Sequence, residues 1–392
     1  MIITRIYVKN YRSIAEVDVP LDRLTVLVGP NGSGKSNFID VFRFISDALK
    51  KGIQSAIDER QGIKAIRRWA PRRPYDIEIE LNIEGNIKHN GNQDVKKLIG
   101  KYRIEIKSIK SPESDGFVTY GVKRELCECL IGDEKSGYEI LNGRWIKKPK
   151  DIGFEPDMSA LVLPLIFFPP FSIINFFLRF VNTYNIYPDS VRIPVEPLAE
   201  YPLDSKGKNI ASVLRRMQRG RSKWISDIKE ALGKVVPGIA NIQVKPVGGF
   251  LTLRFTHAYE NTKPHDFEAS QESDGTLRML GILVALFQEP PPNFIAIEEP
   301  EITVHPGVLG TLAELIKEAS EKRSQVIITT HSPDLISQFN PKELRIVDWN
   351  CQDGTTIAPV DESQLEIINQ KLFSSGDLLR IEGLRQKNSH DV

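Results

Sequence analysis

Apolar and polar positions alternate in IITRIYVKN at the start of the chain, and an apolar run, LTVLVG, closes at residue 29. Both patterns predict strands, the second one fully buried. A helical spacing follows from about residue 35 to residue 50. Four further alternating runs, DIEIELNI, YRIEIKSI, FVTYGVKREL and YEILNGRWI, predict an antiparallel sheet. From residue 151 to 237 prolines punctuate the pattern, and helical spacing takes over in IASVLRRMQ and WISDIKEALGKVV. Strands resume at IQVKPV and FLTLRFTHA. After them TLRMLGILVALF, FIAIEE, VLGTLAELIKEAS, QVIITT, DLISQF and LRIVDW alternate helix with short apolar strand. That alternation predicts a parallel sheet with crossover helices. The pattern therefore describes an α/β protein in three parts: 1–150, with an antiparallel β subdomain; 151–237, a mostly helical insertion; and 238–392, which completes the parallel core.

Composition narrows the setting. The formal net charge of 392 residues is +1, so an anionic polymer would have to be drawn by local patches and not by the whole molecule. Three cysteines, Cys127, Cys129 and Cys351, are too few for a disulfide framework or a four-ligand zinc site. The amino end lacks the apolar block of a secretory signal. One uncharged run, MSALVLPLIFFPPFSIINFFL from 158 to 178, is long enough to raise a membrane question, but Pro164, Pro169 and Pro170 break it. A buried hairpin or packed loop is expected there, with no membrane contact and a cytoplasmic location.

Chemistry enters with GPNGSGKS, residues 29–36. It fits G-x-x-x-x-G-K-[ST], follows the strand LTVLV and opens a helix, the setting in which such a loop cradles phosphates. Gly29, Gly32 and Gly34 permit the tight turns that aim successive amides at phosphate oxygens, and the helix start adds its dipole. Asn31, Gly32, Ser33, Gly34, Lys35, Ser36 and Asn37 are the candidate nucleotide-binding residues, with Lys35 reaching the β and γ phosphates and Ser36 ligating magnesium. A second signal is FIAIEE, where a buried strand ends on Glu298 and Glu299. Adjacent carboxylates resist sharing a desolvated site unless a cation is present. A magnesium nucleotide beside the phosphate loop supplies one, with Glu298 holding metal and Glu299 deprotonating the attacking water.

Between Ser36 and Glu298 a large module is inserted, and the ordered motifs resemble the ABC-type ATPases of the SMC, RecF and OLD group. ESDGTLRML, residues 272–280, is similar to that group's signature, with a helix expected from Thr276; EPEITVHP resembles the acidic strand end and D-loop; QVIITTHSPDLI resembles the last strand and switch; NYRSI, residues 10–14, is similar to its amino-terminal motif. PLDSKGKNIASVLRRM resembles a segment of small stand-alone RecF-like ATPases. The resemblance implies a P-loop NTPase fold, an ABC-ATPase head, that binds ATP with Mg2+ and forms a head-to-tail homodimer on ATP. It implies that Ser273, Asp274 and Gly275 act in trans on the partner's nucleotide, that His331 senses the γ phosphate, and that Arg12 contacts nucleotide. A glutamine contacting magnesium is implied too, with Gln54 and Gln61 both open.

Three departures refine this. Glu298 stands where many relatives carry Asp. SDGTLR lacks the paired glycines of transporter signatures, which disfavours a transporter ATPase subunit. The insertion has no sustained heptads and no C-x-x-C hook, so long coiled-coil arms are not expected. No Toprim-like set of acids fits within the sixty or so residues after His331, so any nuclease activity is expected from a separate protein. Two basic clusters, 60–74 and 206–223, could neutralise DNA or RNA phosphates. The expected function is a slow ATPase whose dimerisation gates nucleic-acid or effector binding, in DNA repair or antiviral defence. The alternative is a regulatory ATP-binding module that controls a separate nuclease or toxin without touching nucleic acid.

Overall fold

The computed structural model describes residues 1–68, 75–88, 95–110, 118–150, 152–197, 202–220, 222–259 and 263–387. Sixteen strands are described: β1 (Ile2–Tyr11), β2 (Ile14–Pro20), β3 (Leu24–Val28), β4 (Ile77–Lys88), β5 (Val95–Lys110), β6 (Val118–Ile131), β7 (Glu134–Leu141), β8 (Arg144–Lys147), β9 (Val181–Tyr184), β10 (Ile239–Val247), β11 (Phe250–His257), β12 (His265–Glu268), β13 (Phe294–Glu298), β14 (Gln325–Thr330), β15 (Leu344–Asn350) and β16 (Gly354–Pro359). Thirteen of them join in one sheet, in the order β8-β7-β6-β5-β4-β1-β2-β16-β15-β3-β14-β13-β9. One wing is antiparallel, from β8 to β2. The other, from β15 through β3, β14 and β13 to β9, is parallel. The four alternating runs after residue 75 are β4 to β8, and the apolar strands near the carboxyl end form the parallel core, as their patterns predict.

Each face of the sheet carries its own core, and β13 shows why. Successive side chains of a strand point to opposite faces. Phe294 and Ala296 lie in the core under the helix Lys35–Lys51, whereas Ile295 and Ile297 lie in the opposite core under the helices Asp274–Phe287 and Leu309–Lys322. Phe42 of the first helix meets Phe294 with ring centroids 4.8 Å apart. The sequence reads FIAIE as a continuous apolar run because both faces are covered.

The segment from 151 to 237 is less separate than its pattern implies. Its residues Val181–Tyr184 form β9 and pair with β13 at the edge of the main sheet. The uncharged run from 158 to 178 is a packed loop only in its first half. From Phe171 to Arg179 it is a helix, with Phe171, Ile174, Asn175, Phe177 and Leu178 on its buried side. A run apolar on all sides carries no readable period, so the helix could not be told from a hairpin. Pro170 sits just before that helix, where its missing N–H costs no bond. The helices Ile210–Arg219 and Trp224–Val235 fall where predicted, and β10, β11 and β12 make a separate three-stranded sheet. Among the described residues no helix is long and apolar enough to cross a membrane.

The loop ahead of that helix is pinned to the antiparallel wing by one carboxylate. Glu125, on β6, accepts from Val162 N at 2.6 Å, Leu163 N at 2.9 Å, Tyr138 Oη at 2.9 Å and Tyr102 Oη at 3.0 Å. Removing it leaves four buried donors without an acceptor. Glu125→Ala is expected to cost about 2–3 kcal/mol of stability, read by chemical denaturation; a loss below about 0.5 kcal/mol would show that water replaces the carboxylate without penalty.

Candidate functional site

The phosphate loop joins β3, whose five residues are all buried, to the helix Lys35–Lys51. Two glycines are set by crowding. A Cβ on Gly29 would lie 2.1 Å from Val347 O of β15, and one on Gly34 would lie 2.1 Å from Thr355 Oγ1 of β16, at a positive φ of 104°. Only glycine fits both demands at residue 34. Thr355 Oγ1 donates to Ser33 O at 2.9 Å and lies 2.7 Å from Ser13 Oγ, which accepts from Asn37 Nδ2 at 2.7 Å. The loop is thus braced from the junction of β2 and β16, where Thr355 N also donates to Ser13 O at 2.9 Å. Asn31 and Gly32 remain exposed at its crest. Lys35 is only 5% exposed, and its ammonium donates to Gly29 O at 2.7 Å and Pro30 O at 2.9 Å. Burial pulls its pKa down, and the charges of Glu299 and Glu301 oppose that shift.

Glu298 ends β13 against this loop: its Oε2 accepts from Ser36 Oγ at 2.6 Å, and Arg43 Nη2 is 4.0 Å from Oε1. At Glu299 the chain turns, with φ of 44°. Its N–H donates to Thr329 O at 3.0 Å and lies 3.1 Å from Thr329 Oγ1, while its carboxylate lies 3.2 Å from His331 Nδ1. The turn sends the two adjacent carboxylates to different partners. A third carboxylate, Glu301, was not singled out by the sequence. Its Oε1 accepts from Thr330 Oγ1 at 2.6 Å, its Oε2 is buried with no hydrogen-bond partner, and burial pushes its pKa up.

On the side away from the phosphate loop, a buried cation meets the backbone of the two adjacent acids. Arg278, 7% exposed, donates from Nη2 to Glu298 O at 3.2 Å and Glu299 O at 3.1 Å, and from Nη1 to Ile186 O at 2.7 Å. Burial pulls the guanidinium pKa down, and the charges of Glu301, Glu299 and Glu298 are among those that oppose it.

A cleft of about 590 Å3 opens beside these groups, lined in part by Arg12, Ser36, Arg43, Gln61 and Glu298. Of the two glutamines left open, Gln61 lines this cleft, whereas Gln54 donates to Asp58 at 2.8 Å and lies on the surface. A hydroxyl, a carboxylate and an amide oxygen are the hard donors magnesium prefers, and it commonly takes few protein ligands beside phosphate and water. Consistent with so small a set, no group of three or more His, Cys, Asp or Glu that could hold a metal occurs among the described residues. The residues present fit magnesium held together with a phosphate ligand.

Arg12, with φ of 48°, lines the same cleft and pairs with Asp40 at 2.9 Å. Asp40 also accepts from Tyr11 Oη at 2.7 Å and pairs with Arg60 at 2.9 Å. That pairing corrects the first basic cluster. Arg60 is buried and bound to Asp40 and Asp47, and it lines the same cleft, so it is not part of an open surface for a polymer's phosphates. Arg67 donates to Ser108 Oγ and Arg68 to Gln352 O, while Trp69 and residues 70–74, with Arg72 and Arg73, lie outside the described residues. In the second cluster Lys206 lies over Tyr187 and Lys223 over Trp224; Arg221 is outside the described residues.

The signature segment lies on the other side of the acids. Its helix starts at Asp274, two residues before the expected Thr276, because Ser273 is the cap: its Oγ accepts from Thr276 N at 3.2 Å. Asp274 pairs with Arg192 at 2.5 Å. A Cβ on Gly275 would meet Thr303 O at 2.5 Å, so this glycine makes close contact with the D-loop of its own chain.

Comparisons with known proteins agree with this arrangement. Residues 1–133 match the family described as "AAA ATPase domain", and residues 178–337 match "AAA domain, putative AbiEii toxin, Type IV TA system". The Old nuclease of Escherichia phage P2 is 23% identical over 362 residues, 84% of this chain and 56% of the relative. The DNA replication and repair protein RecF of Halothermothrix orenii is 28% identical over 152 residues, 36% of this chain and 40% of the relative. The chain therefore spans about half or less of these relatives' length. Among solved structures, an Smc head bound to the C-terminal winged-helix domain of ScpA superposes with a TM-score of 0.56 at 15% identity, covering 94% of this chain and all of that one. The fold is that of an α/β P-loop ABC-ATPase head. In fold, motif order and matches the chain is similar to the SMC/RecF/OLD-like group of ABC-type ATPases.

Of the residues singled out from sequence, Lys35, Ser36, Glu298, Glu299 and His331 come together, and Arg12 and Gln61 line the adjoining cleft. Ser273, Asp274 and Gly275 contact other elements of the same chain. The sequence reading missed Ser13, Thr355, Arg278 and Glu301. Ser13 and Glu301 lie inside NYRSI and EPEITVHP without a role assigned to them, Arg278 stands out as a charge inside the apolar helix TLRMLGILVALF, and Thr355 left no trace. Thr355→Val keeps the shape of that side chain and removes the hydroxyl that holds Ser33 O. It is expected to weaken nucleotide binding about 2- to 13-fold, the worth of one hydrogen bond, in a calorimetric or fluorescent-nucleotide titration. Parental affinity would show that the brace is idle.

Proposed function

We propose that this chain binds ATP with Mg2+ and hydrolyses it, and that ATP-dependent head-to-tail pairing of two copies gates contact with a nucleic acid or an effector protein. The observation that carries the reading is the 2.6 Å bond between Ser36 Oγ and Glu298 Oε2. It brings the phosphate loop and the acidic strand end to one point, where one hard cation could touch both. Lys35 exchanges its bonds to Gly29 O and Pro30 O for β- and γ-phosphate oxygens. Ser36 and Glu298 hold Mg2+, with Gln61 at the cleft side, and the ion supplies neutralisation of phosphate charge. Glu299 Oε accepts the proton of the attacking water as the bond between the γ phosphorus and the β–γ bridging oxygen breaks, and His331 orients that carboxylate. Ser273, Asp274 and Gly275 face the partner's nucleotide. Turnover is slow and the setting is the cytoplasm.

The matched relatives' names, a nuclease and a DNA replication and repair protein, support a nucleic-acid setting, in repair or in antiviral defence. The burial of Arg60 removes one cation from the first cluster and so supports the second reading, a regulatory module acting on a separate nuclease or toxin. Binding of duplex and single-stranded DNA across a salt series separates them. Direct phosphate contact gives affinity that falls steeply with salt; flat, weak binding favours the effector.

Lys35→Ala is expected to weaken ATP binding at least about 30-fold through loss of charge-assisted bonds. Glu299→Gln is expected to bind ATP normally, to lose about 100- to 1,000-fold in hydrolysis and to accumulate as an ATP-bound dimer by gel filtration with light scattering. Hydrolysis by Glu299→Gln at the parental rate would refute the assignment of the base. Removal of divalent metal with EDTA should abolish turnover and be reversed by Mg2+.

A further inference from the structure

Among the described residues, Arg278 is the one guanidinium that touches both acids' backbone. It sits on the first turns of the signature helix, whose own cap is Ser273, and it is almost wholly buried. A buried charge is costly unless it is fully engaged. Here no carboxylate among the described residues lies within bonding distance, and the side chain is spent on three main-chain oxygens: Ile186 O, Glu298 O and Glu299 O. Its Nε is buried and has no hydrogen-bond partner. A merely structural contact would be better served by an apolar side chain of similar volume. What an arginine alone provides is a planar fork that fixes two separate pieces of backbone relative to each other.

The two pieces are informative. One is the end of β13, where Glu299 takes a positive φ that a non-glycine residue adopts only at a cost. Such strain persists where the surroundings over-determine it, and here Thr329 holds the Glu299 N–H while Arg278 holds its carbonyl. The other is residue 186, between β9 and the residues that end in Arg192. Arg192 in turn pairs with Asp274 at 2.5 Å, and a Cβ on Gly281 would lie 2.5 Å from Ile186 Cγ2. The start of the signature helix is therefore fastened to both. Gly275, one turn earlier, touches Thr303 O of the D-loop.

We propose that Arg278 is a positioning residue: it sets the backbone turn that aims Glu299, and it makes that aim depend on where the signature helix of the same chain sits. The proposal rests on the reading of Glu299 as the base and deepens it. Movement of the signature helix on meeting a partner's nucleotide would be felt, through one side chain, at the hydrolytic acid of the subunit that owns the helix. Arg278 makes no contact with the phosphate loop, so nucleotide affinity does not depend on it.

Arg278→Met keeps an unbranched stem and removes the fork; Arg278→Lys keeps the charge and loses the planar geometry. Both are assayed for ATP hydrolysis at saturating ATP and for equilibrium binding of a slowly hydrolysed ATP analogue, with folding checked by thermal unfolding. Arg278→Met is expected to lose about 10- to 100-fold in kcat, the effect of a small misplacement of a reacting group, with analogue affinity within about twofold of the parent. Arg278→Lys is expected to fall between Met and parent. A parental kcat in Arg278→Met, or a loss that resides wholly in weaker analogue binding, overturns the proposal. If the Met variant does not fold, the Lys variant decides: a kcat within about twofold of the parent overturns the proposal, and a larger loss at unchanged affinity supports it. No turnover in the parent protein would sink the function proposed above. Turnover that Glu299→Gln abolishes and both Arg278 variants retain would sink only this inference.

Discussion

The hydrogen bond from Ser36 to Glu298 spans 262 residues of sequence, and the candidate site exists only because it closes. Its geometry follows from strand order. β3 delivers the phosphate loop, β13 delivers the acids, and β14 lies between them, delivering Thr329 and His331 to the same sheet edge. All three are parallel, so their carboxyl ends lie together, where open α/β sheets place ligands. The long intervening chain is accommodated by the antiparallel wing and the helical region, and β9 returns from the latter to cover the far edge of β13.

Electrostatics then decides how three glutamates can share this edge. Burial pushes the pKa of Glu301 up, and the neighbouring charge of Glu299 acts in the same direction. The protein answers with Lys35 on the loop side and Arg278 on the helix side; for each, burial opposes the charge and glutamates favour it. One oxygen of Glu301 is buried without a hydrogen-bond partner, as is Arg278 Nε.

Local motifs were legible because their chemistry is local. GPNGSGKS declares its conformation through glycines whose φ values are positive at Gly32 and Gly34, and FIAIEE declares a doubly buried strand. What could not be read depended on partners far away in sequence. Arg60 belongs to a basic stretch, but Asp40 and Asp47 on the neighbouring helix draw it inward. Thr355 lies in the unremarkable GTTIAP, and its value appears only when β16 pairs with β2 and brings it against Ser33 O. Gln54 and Gln61 are indistinguishable by position until the backbone at Gln61, with φ of 66°, turns it to the cleft. Phe171–Arg179 failed for the opposite reason: it is so apolar that no period separates helix from hairpin.

The two ends of the candidate site are anchored to different halves of the molecule. Ser13 and Thr355 tie the phosphate loop to the place where the antiparallel wing meets the parallel core. Arg278 ties the acids to the signature helix and, through Ile186, to the segment that follows β9. Only the Ser36 to Glu298 bond and the screened approach of Arg43 directly bridge the two anchors on the cleft side. A ligand that inserts between Ser36 and Glu298 must therefore change the distance between anchors, and each anchor is continuous with a rigid element. Close-packed elements do not deform smoothly, and each anchor is built into such an element.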